Sequence, residues 1–374
     1  MIKSNSNKIF SISGFSFITS IHDGNFASIN MNNTLKIYMG KKPFNCLNGG
    51  LNISKGTEIY NLKEIFISDN INQKSSKTES TKIYLILYAK NILIYLFQDM
   101  YKKHFLLQKI KTDIYIEFLI QLNNKNIIFF NKENNIKFLQ YKNENKNIFN
   151  NSIYFLQKDK KKKLPFILSF LELNNNHIIT TSTSRHPSGE DIIRIYEIQF
   201  NFNNSKLINY KNFVGYSCAI FENNICKLEN QKTICIAINY YIKKNIVFNN
   251  SAIVLLNYEY LEITTILETE FQINNIFNFS FLAGNGNYNK IYEYVLLSQI
   301  KAENINDKKS KKGKDNFRFI DFYVFEPKNE YEPMLIENKR ILTNNPIDIT
   351  NSFLLNQKYL VIFQTPHINI YEIF

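Results

Sequence analysis

The sequence has no tryptophan, and its 374 residues include only 4 cysteines and 5 histidines. The cysteines are Cys46, Cys218, Cys226 and Cys235, and no two of them form a CxxC pair. With so few histidines there is no zinc-type ligand set, and no disulfide framework is legible. Cys226 and Cys235 lie in strand-like apolar stretches and read as buried thiols of a reducing compartment. Nowhere does an apolar run reach the roughly 18 residues of a membrane helix, so none is expected. The opening "MIKSNSNKIFSISGF" lacks the apolar stretch of a signal peptide. Phosphate-loop, HExxH and EF-hand patterns are all absent. "LAGNGNYNK" (282–290) has GxG spacing but no following helix, and reads as a turn. Convincing 3.6-residue periodicity is missing as well, which excludes a helical fold.

Hydrophobic residues make up 44% of the chain and charged residues 21%, the balance of a globular protein. Phenylalanine (32) and tyrosine (23) supply the bulk. Formal charge is +13, from 45 basic and 32 acidic side chains. Such an excess attracts acidic partners. It is equally the signature of a solvated lysine surface, and Lys, Asn and Ile share A/T-rich codons.

Period-2 alternation runs throughout, organised in a larger repeat. "FITSIHDGNFASINMNNTLKIYM" (17–39) holds three strands separated by Asp23-Gly24 and Asn32-Asn33, both turn dipeptides. Comparable units occupy 116–141, 167–198 and 348–374, and weaker ones 59–97, 225–258 and 276–325. Between units lies one further strand-like run, as in "KHFLLQKI" (103–110), "IYFLQK" (153–158), "KLINYKNF" (206–213), "LEITTILE" (261–268) and "MLIENKRIL" (334–342). Each unit is then an antiparallel meander of strands a, b, c and d. The last unit lacks d, and an orphan strand, "KIFSIS", precedes the first. Pairing Lys8–Ser13 with "HINIYEIF" removes both open edges.

This layout resembles the WD-repeat β-propeller family. Tyr38, Tyr141, Tyr196 and Tyr371 stand where that family places the tryptophan of its Trp-Asp dipeptide, and Asn32 stands at its structural aspartate. Gly-His dipeptides are absent. The resemblance implies an all-β, seven-bladed propeller, one domain over 1–374, closed by the N-terminal strand. Another propeller family, or a pair of β-sandwiches, remains an alternative reading of the strands. Phosphoinositide-binding propellers carry Phe-Arg-Arg-Gly. The only arginines here are Arg185, Arg194, Arg318 and Arg340, and none are adjacent, which counts against that subfamily.

The propeller reading sorts the loops. Turns b–c and links d–a fall on one face, called top. There lie Lys160, Lys161, Lys162 and Lys163 in a d–a link, Arg185 and His186 in a b–c turn, and Lys243 and Lys244 in another. Lys308, Lys309, Lys311 and Lys312 belong to an insertion at 299–316 that has no apolar face and is expected to be flexible. The bottom face receives 68–80, 142–150 and 326–333, which are mixed or acidic. The top face is therefore the expected binding surface.

Catalysis finds little support. His22 is expected to brace the Asp23-Gly24 turn, and His177 to be a packed or hydrogen-bonded strand residue. Only Glu117 and Glu172 are regular acids on the a strands, whereas a propeller enzyme needs ionisable groups converging there. The reading is a non-enzymatic interaction module without cofactor or metal that binds proteins with acidic surfaces, and the resemblance implies a scaffold of the eukaryotic cytoplasm or nucleus, a subunit of a larger assembly. The same lysines leave open an anion-surface reader of RNA, acidic lipid or phosphoprotein. Aromatics at period two are core rather than base-stacking platforms, so nucleic acid is the weaker partner.

Overall fold

A computed structural model describes residues 8–53, 57–67, 82–131, 136–144, 147–155, 167–174, 177–182, 193–199, 204–211, 216–218, 225–227, 232–240, 251–269, 272–283, 290–300, 318–325, 333–334, 340–343, 349–356, 358–364 and 367–372. The chain divides into two compact units. One is Asn7–Lys160 with Asp348–Phe374, the other Lys161–Ile347 with Met1–Ser6.

In the first unit, β1 (Lys8–Ser13) is followed by three antiparallel sheets whose strands lie side by side in chain order. The first sheet is β2 (Phe15–Ser20), β3 (Phe26–Asn30), β4 (Thr34–Tyr38) and a two-residue β5 (Leu51–Asn52). The second is β6 (Asn61–Ile65), β7 (Ile83–Tyr88), β8 (Asn91–Gln98) and β9 (Lys103–Lys111). The third is β10 (Phe118–Gln121), β11 (Ile127–Phe130), β12 (Ile136–Glu144) and β13 (Asn147–Phe155). The expected bottom loop at 142–150 is thus mostly strand. Alternating apolar residues such as Tyr141 and Phe149 pair across it, and only 145–146 separate the two strands.

The second unit holds three more sheets. The fourth is β14 (Ile167–Asn174), β15 (His177–Ser182), β16 (Ile193–Gln199) and β17 (Asn204–Lys211). In the fifth, two short strands, β18 (Tyr216–Cys218) and β19 (Ile225–Lys227), both pair with β20 (Thr233–Tyr240), which continues to β21 (Ser251–Asn257) and β22 (Glu262–Thr269). The sixth is β23 (Gln272–Ala283), β24 (Lys290–Ile300) and β25 (Arg318–Phe325), edged by β26 (Pro333–Met334) and β27 (Arg340–Thr343). Of the run read as an outer strand at 334–342, the described parts are β26 and β27, and both pair with β25.

The final sheet returns to the first unit: β28 (Ile349–Leu355), β29 (Tyr359–Gln364) and β30 (His367–Glu372). As the sequence predicts, β1 is its fourth strand, with Ile12 opposite Ile368 and Ser13 opposite His367. The Ser11 hydroxyl donates to the Asn369 side chain at 3.0 Å.

The cores explain why the second and third strands read as nearly continuous apolar runs. Successive residues of a strand point to opposite faces. Ile83, Leu85 and Leu87 of β7 join a core with Ala27, Ile29, Leu35 and Ile37 of the first sheet. Tyr84, Ile86 and Tyr88 of the same strand join another with Ile127, Phe129 and Leu139 of the third. A third core sets Phe26, Tyr38 and Phe44 against Val361, Phe363 and Ile370. Each fully buried Leu, Ile or Phe contributes about 1.5–3 kcal/mol. In the second unit, Ile179, Ile193 and Ile195 meet Ile225, Ile234 and Ile236.

Candidate interaction surface

All twelve sequence-predicted site residues lie outside the described residues: Lys160 to Lys163, Arg185, His186, Lys243, Lys244, Lys308, Lys309, Lys311 and Lys312. The strand order still fixes which connections carry them. Lys160–Lys163 fall between β13 and β14, Arg185 and His186 between β15 and β16, Lys243 and Lys244 between β20 and β21, and Lys308, Lys309, Lys311 and Lys312 between β24 and β25. In an antiparallel meander, the connection between the second and third strands leaves the same end of the sheet as the links into the first strand and out of the fourth.

Among the described residues the most exposed apolar feature is the β8–β9 hairpin. Asp99, Met100 and Tyr101 all take left-handed φ values, 50°, 52° and 71°. Side chains other than glycine enter that region at a cost, so something must hold the turn. Tyr101 does so. It is buried, its hydroxyl donates to Asp23 of the first sheet's β2–β3 turn, and it accepts from Asn25 Nδ2 at 3.3 Å. Asn25 in turn donates to both Asp23 oxygens, at 3.1 and 2.9 Å, and accepts from the Gly40 N–H at 2.9 Å. Burial, with Asp23 beside it, pushes the Tyr101 hydroxyl well above the usual phenol range.

His22 completes this network differently from expectation. Its ring leaves the turn and pairs with Glu64 of β6, and its N–H donates to Glu64 Oε2 at 2.8 Å. The turn is braced by Asp23 instead. Burial raises the Glu64 carboxyl, partly opposed by its bonds to His22.

Pinned in this way, the turn presents Met100 at 79% exposure, and the strand beyond presents Phe105 and Leu106 at 49% and 50%. Lys102 to Leu106 are all exposed, so both faces of this end of β9 are bare. Farther along, Gln108 and Ile110 are buried while Lys109 and Lys111 point out. β9 is the last strand of its sheet. Its charge is basic, with Asp99 engaged by Lys103 at 2.7 Å. In the second unit β17 likewise exposes Ile208 and Tyr210. The two strands are legible in the sequence at 59–97 and 103–110, although Asp99 is the one common turn residue in "FQDMYKKHF".

Other singled-out residues settle into packing. Tyr38, Tyr196 and Tyr371 are buried on third strands, where the tryptophan position was expected, and Tyr141 is half-buried. Tyr38 stacks on Phe26 at 5.1 Å, and burial pushes its hydroxyl up to about 12. His177 opens β15 half-buried, and its Nδ1 has no hydrogen-bond partner among the described residues. Cys235 is buried as expected and Cys226 only half so. Among the described residues, no three His, Cys, Asp or Glu side chains gather as a metal site, and no helix is long and apolar enough to cross a membrane.

No known protein-family model matches the chain, and no curated protein does. Solved structures do. Saccharomyces cerevisiae Sqt1 superposes with a TM-score of 0.54 at 8% identity, covering 100% of both chains. The WD40 repeats of RRP9 give 0.53 at 10% identity, over 96% of this chain and 94% of that one. The β-propeller domain of Cps50 (Swd1) from Myceliophteria thermophila gives 0.51 at 10%, over 98% and 99%. The fold is thus a divergent WD40-like β-propeller, built of repeated four-stranded sheets.

Proposed function

We propose that the chain is a non-catalytic protein-interaction scaffold, a subunit of a eukaryotic multiprotein assembly in the cytosol or nucleus. On this reading its seven sheets close into one ring, sealed where β1 pairs with β30. The observation that carries the proposal is topological. Every basic segment assigned to the top face falls, by chain order, in a second-to-third or fourth-to-first connection. In a closed ring those connections gather Lys160–Lys163, Arg185, His186, Lys243, Lys244 and Lys308–Lys312 on one face. Such a face concentrates and steers acidic partners. WD40-type neighbours agree with a scaffold role, since propeller blades hold loops rigidly for contact.

The β8–β9 hairpin offers a second contact, fitted to an extended acidic segment that adds beside β9. Lys102, Lys103, Lys109 and Lys111 are exposed there, so a second copy of the same edge is repelled while an acidic strand is attracted.

The test is affinity purification from the native organism at low and high salt, with wild-type chain and with Lys160, Lys161, Lys162 and Lys163 all changed to Gln. The expected result is a set of acidic proteins held at low salt and lost from the variant. An unchanged set overturns the basic-face reading. Retention of RNA or acidic vesicles in place of proteins, falling steeply with salt, transfers the lysines to an anion-surface reader. For the hairpin, Phe105→Ser with Leu106→Ser should release a distinct subset. Loss of nothing removes that contact from the proposal.

A further inference from the structure

Cys226 of β19 and Cys235 of β20 stand directly opposite one another in the antiparallel register. Residues so placed project to the same face, with Cα atoms about 4.5–5.5 Å apart. Disulfides accept Cα separations of about 4.4–6.8 Å, so the strands need not move to admit one. In this structure both are thiols, Cys226 half-buried and Cys235 fully buried.

The strand that carries Cys226 has a mechanical role. β19 is only three residues long. Its Ile225 enters the core shared with the fourth sheet. Its Lys227 Nζ donates to the Leu173 carbonyl of β14 at 2.5 Å and lies 5.8 Å from the Tyr258 ring centroid. β19 therefore fastens the fourth sheet to the fifth, and its ladder with β20 is three residues long.

We infer that Cys226 and Cys235 form a disulfide by exchange with a low-molecular-weight disulfide such as oxidised glutathione, locking β19 onto β20. The reachable Cys226 thiolate attacks one sulfur of the small disulfide, forming a mixed disulfide and expelling one thiolate. The Cys235 thiolate then attacks Cys226 Sγ, forming the intramolecular bond and expelling the second thiolate. Two protein thiols are oxidised, one small disulfide is reduced to two thiols, and the two protons go to those thiols. The order follows from accessibility. Cys235 is too buried to meet a solution reagent first, but it faces Cys226.

The experiment treats the full chain with oxidised glutathione, blocks remaining thiols with iodoacetamide, and maps unreduced tryptic peptides by mass spectrometry. Cleavage after Lys227 and Lys232 places the two cysteines on different peptides, and because Cys218 shares the peptide of Cys226, fragment ions of the joined pair assign the bonded sulfur. The expected product is that joined pair, lighter by two hydrogens than its separate parts. Exposed Cys46 serves as the internal control and should carry glutathione without linking. In Cys235→Ser, the glutathione adduct on Cys226 should persist. In Cys226→Ser, Cys235 should stay unmodified until the chain is denatured. Circular dichroism of each variant confirms that the sheets remain. A lasting glutathione adduct on wild-type Cys226 overturns the proposal. So does linkage of Cys226 to Cys46 or Cys218, or full alkylation of Cys235 after the oxidant.

Discussion

Gln108 of β9 satisfies both main-chain groups of Phe149 on β13: its Nε2 donates to the carbonyl at 2.8 Å, and its Oε1 accepts from the N–H at 3.0 Å. Both residues are buried. Water cannot replace the amide there, so Gln108→Leu should destabilise the chain by on the order of 2–4 kcal/mol, most of it the cost of two stranded main-chain groups. Gln121 makes the same two-ended clasp on Phe66, at 2.7 and 2.9 Å, but in exposed surroundings. Gln121→Leu should therefore cost less than about 1 kcal/mol. Thermal midpoints of the two variants check this; equal losses would show that burial does not set the cost.

A second joint, between the final sheet and the first, depends on two glycines having no side chain. Asn356 Nδ2 donates to the carbonyls of Gly24 and Gly40, at 3.1 and 2.6 Å. A Cβ on Gly40 would stand 1.6 Å from the Gly24 carbonyl oxygen, and one on Gly24 would stand 2.2 Å from Asn356 Oδ1. Gly49 has open space around it, although its φ of +64° also favours glycine. Gly49→Ala should thus cost only the backbone term of about 1 kcal/mol. Gly40→Ala should cost clearly more, because main chain must move apart. Stability of the two alanine variants, measured side by side, tests the ordering.

The architecture was legible because turns and alternation are local. Asp23-Gly24 marked the first hairpin, and the orphan run at Lys8–Ser13 found its place beside β30. The network around Tyr101 was not legible. Its partners Asp23 and Asn25 are more than seventy positions away, and in the left-handed Asp99-Met100-Tyr101 turn only Asp99 is of a type that announces such turns. His22 was assigned to the turn beside it for the same reason: sequence shows neighbours along the chain, whereas Glu64 meets it across sheets.

Alkaline pH should expose the Tyr101 network. Its hydroxyl is held well above the usual phenol range by burial and by Asp23. In the unfolded chain tyrosine ionises near about 10. Between that pH and the folded value, the folded protein keeps a proton that the unfolded chain has lost. Stability is therefore whole below about pH 10 and falls as pH rises. Tyr38, raised to about 12, adds to the same slope. Tyr101→Phe should lose about 1.5–3 kcal/mol at neutral pH, the range for a hydrogen bond to a charged group, while flattening the alkaline fall. Denaturant midpoints from neutral to alkaline pH, for wild type and variant, check both. An unchanged slope would place the burden on the other tyrosines.

Acid probes the other end of the scale. Glu372 of β30 is clasped by Lys42 at 2.9 Å and Lys358 at 2.8 Å. Their side-chain bonds, Lys358 first and Lys42 second, lower its carboxyl from 4.5 to about 2. A depressed folded value means that the contribution is present above the unfolded pKa and disappears as pH falls through the folded one. The window is thus about 4.5 down to about 2. Because the site faces water, salt screens it. Glu372→Gln should match wild type below that window and be less stable above it, with the gap shrinking at high salt. Carboxyl NMR titration of Glu372 reads the group directly. An ordinary glutamate midpoint at low salt would show that the two lysines do not hold it.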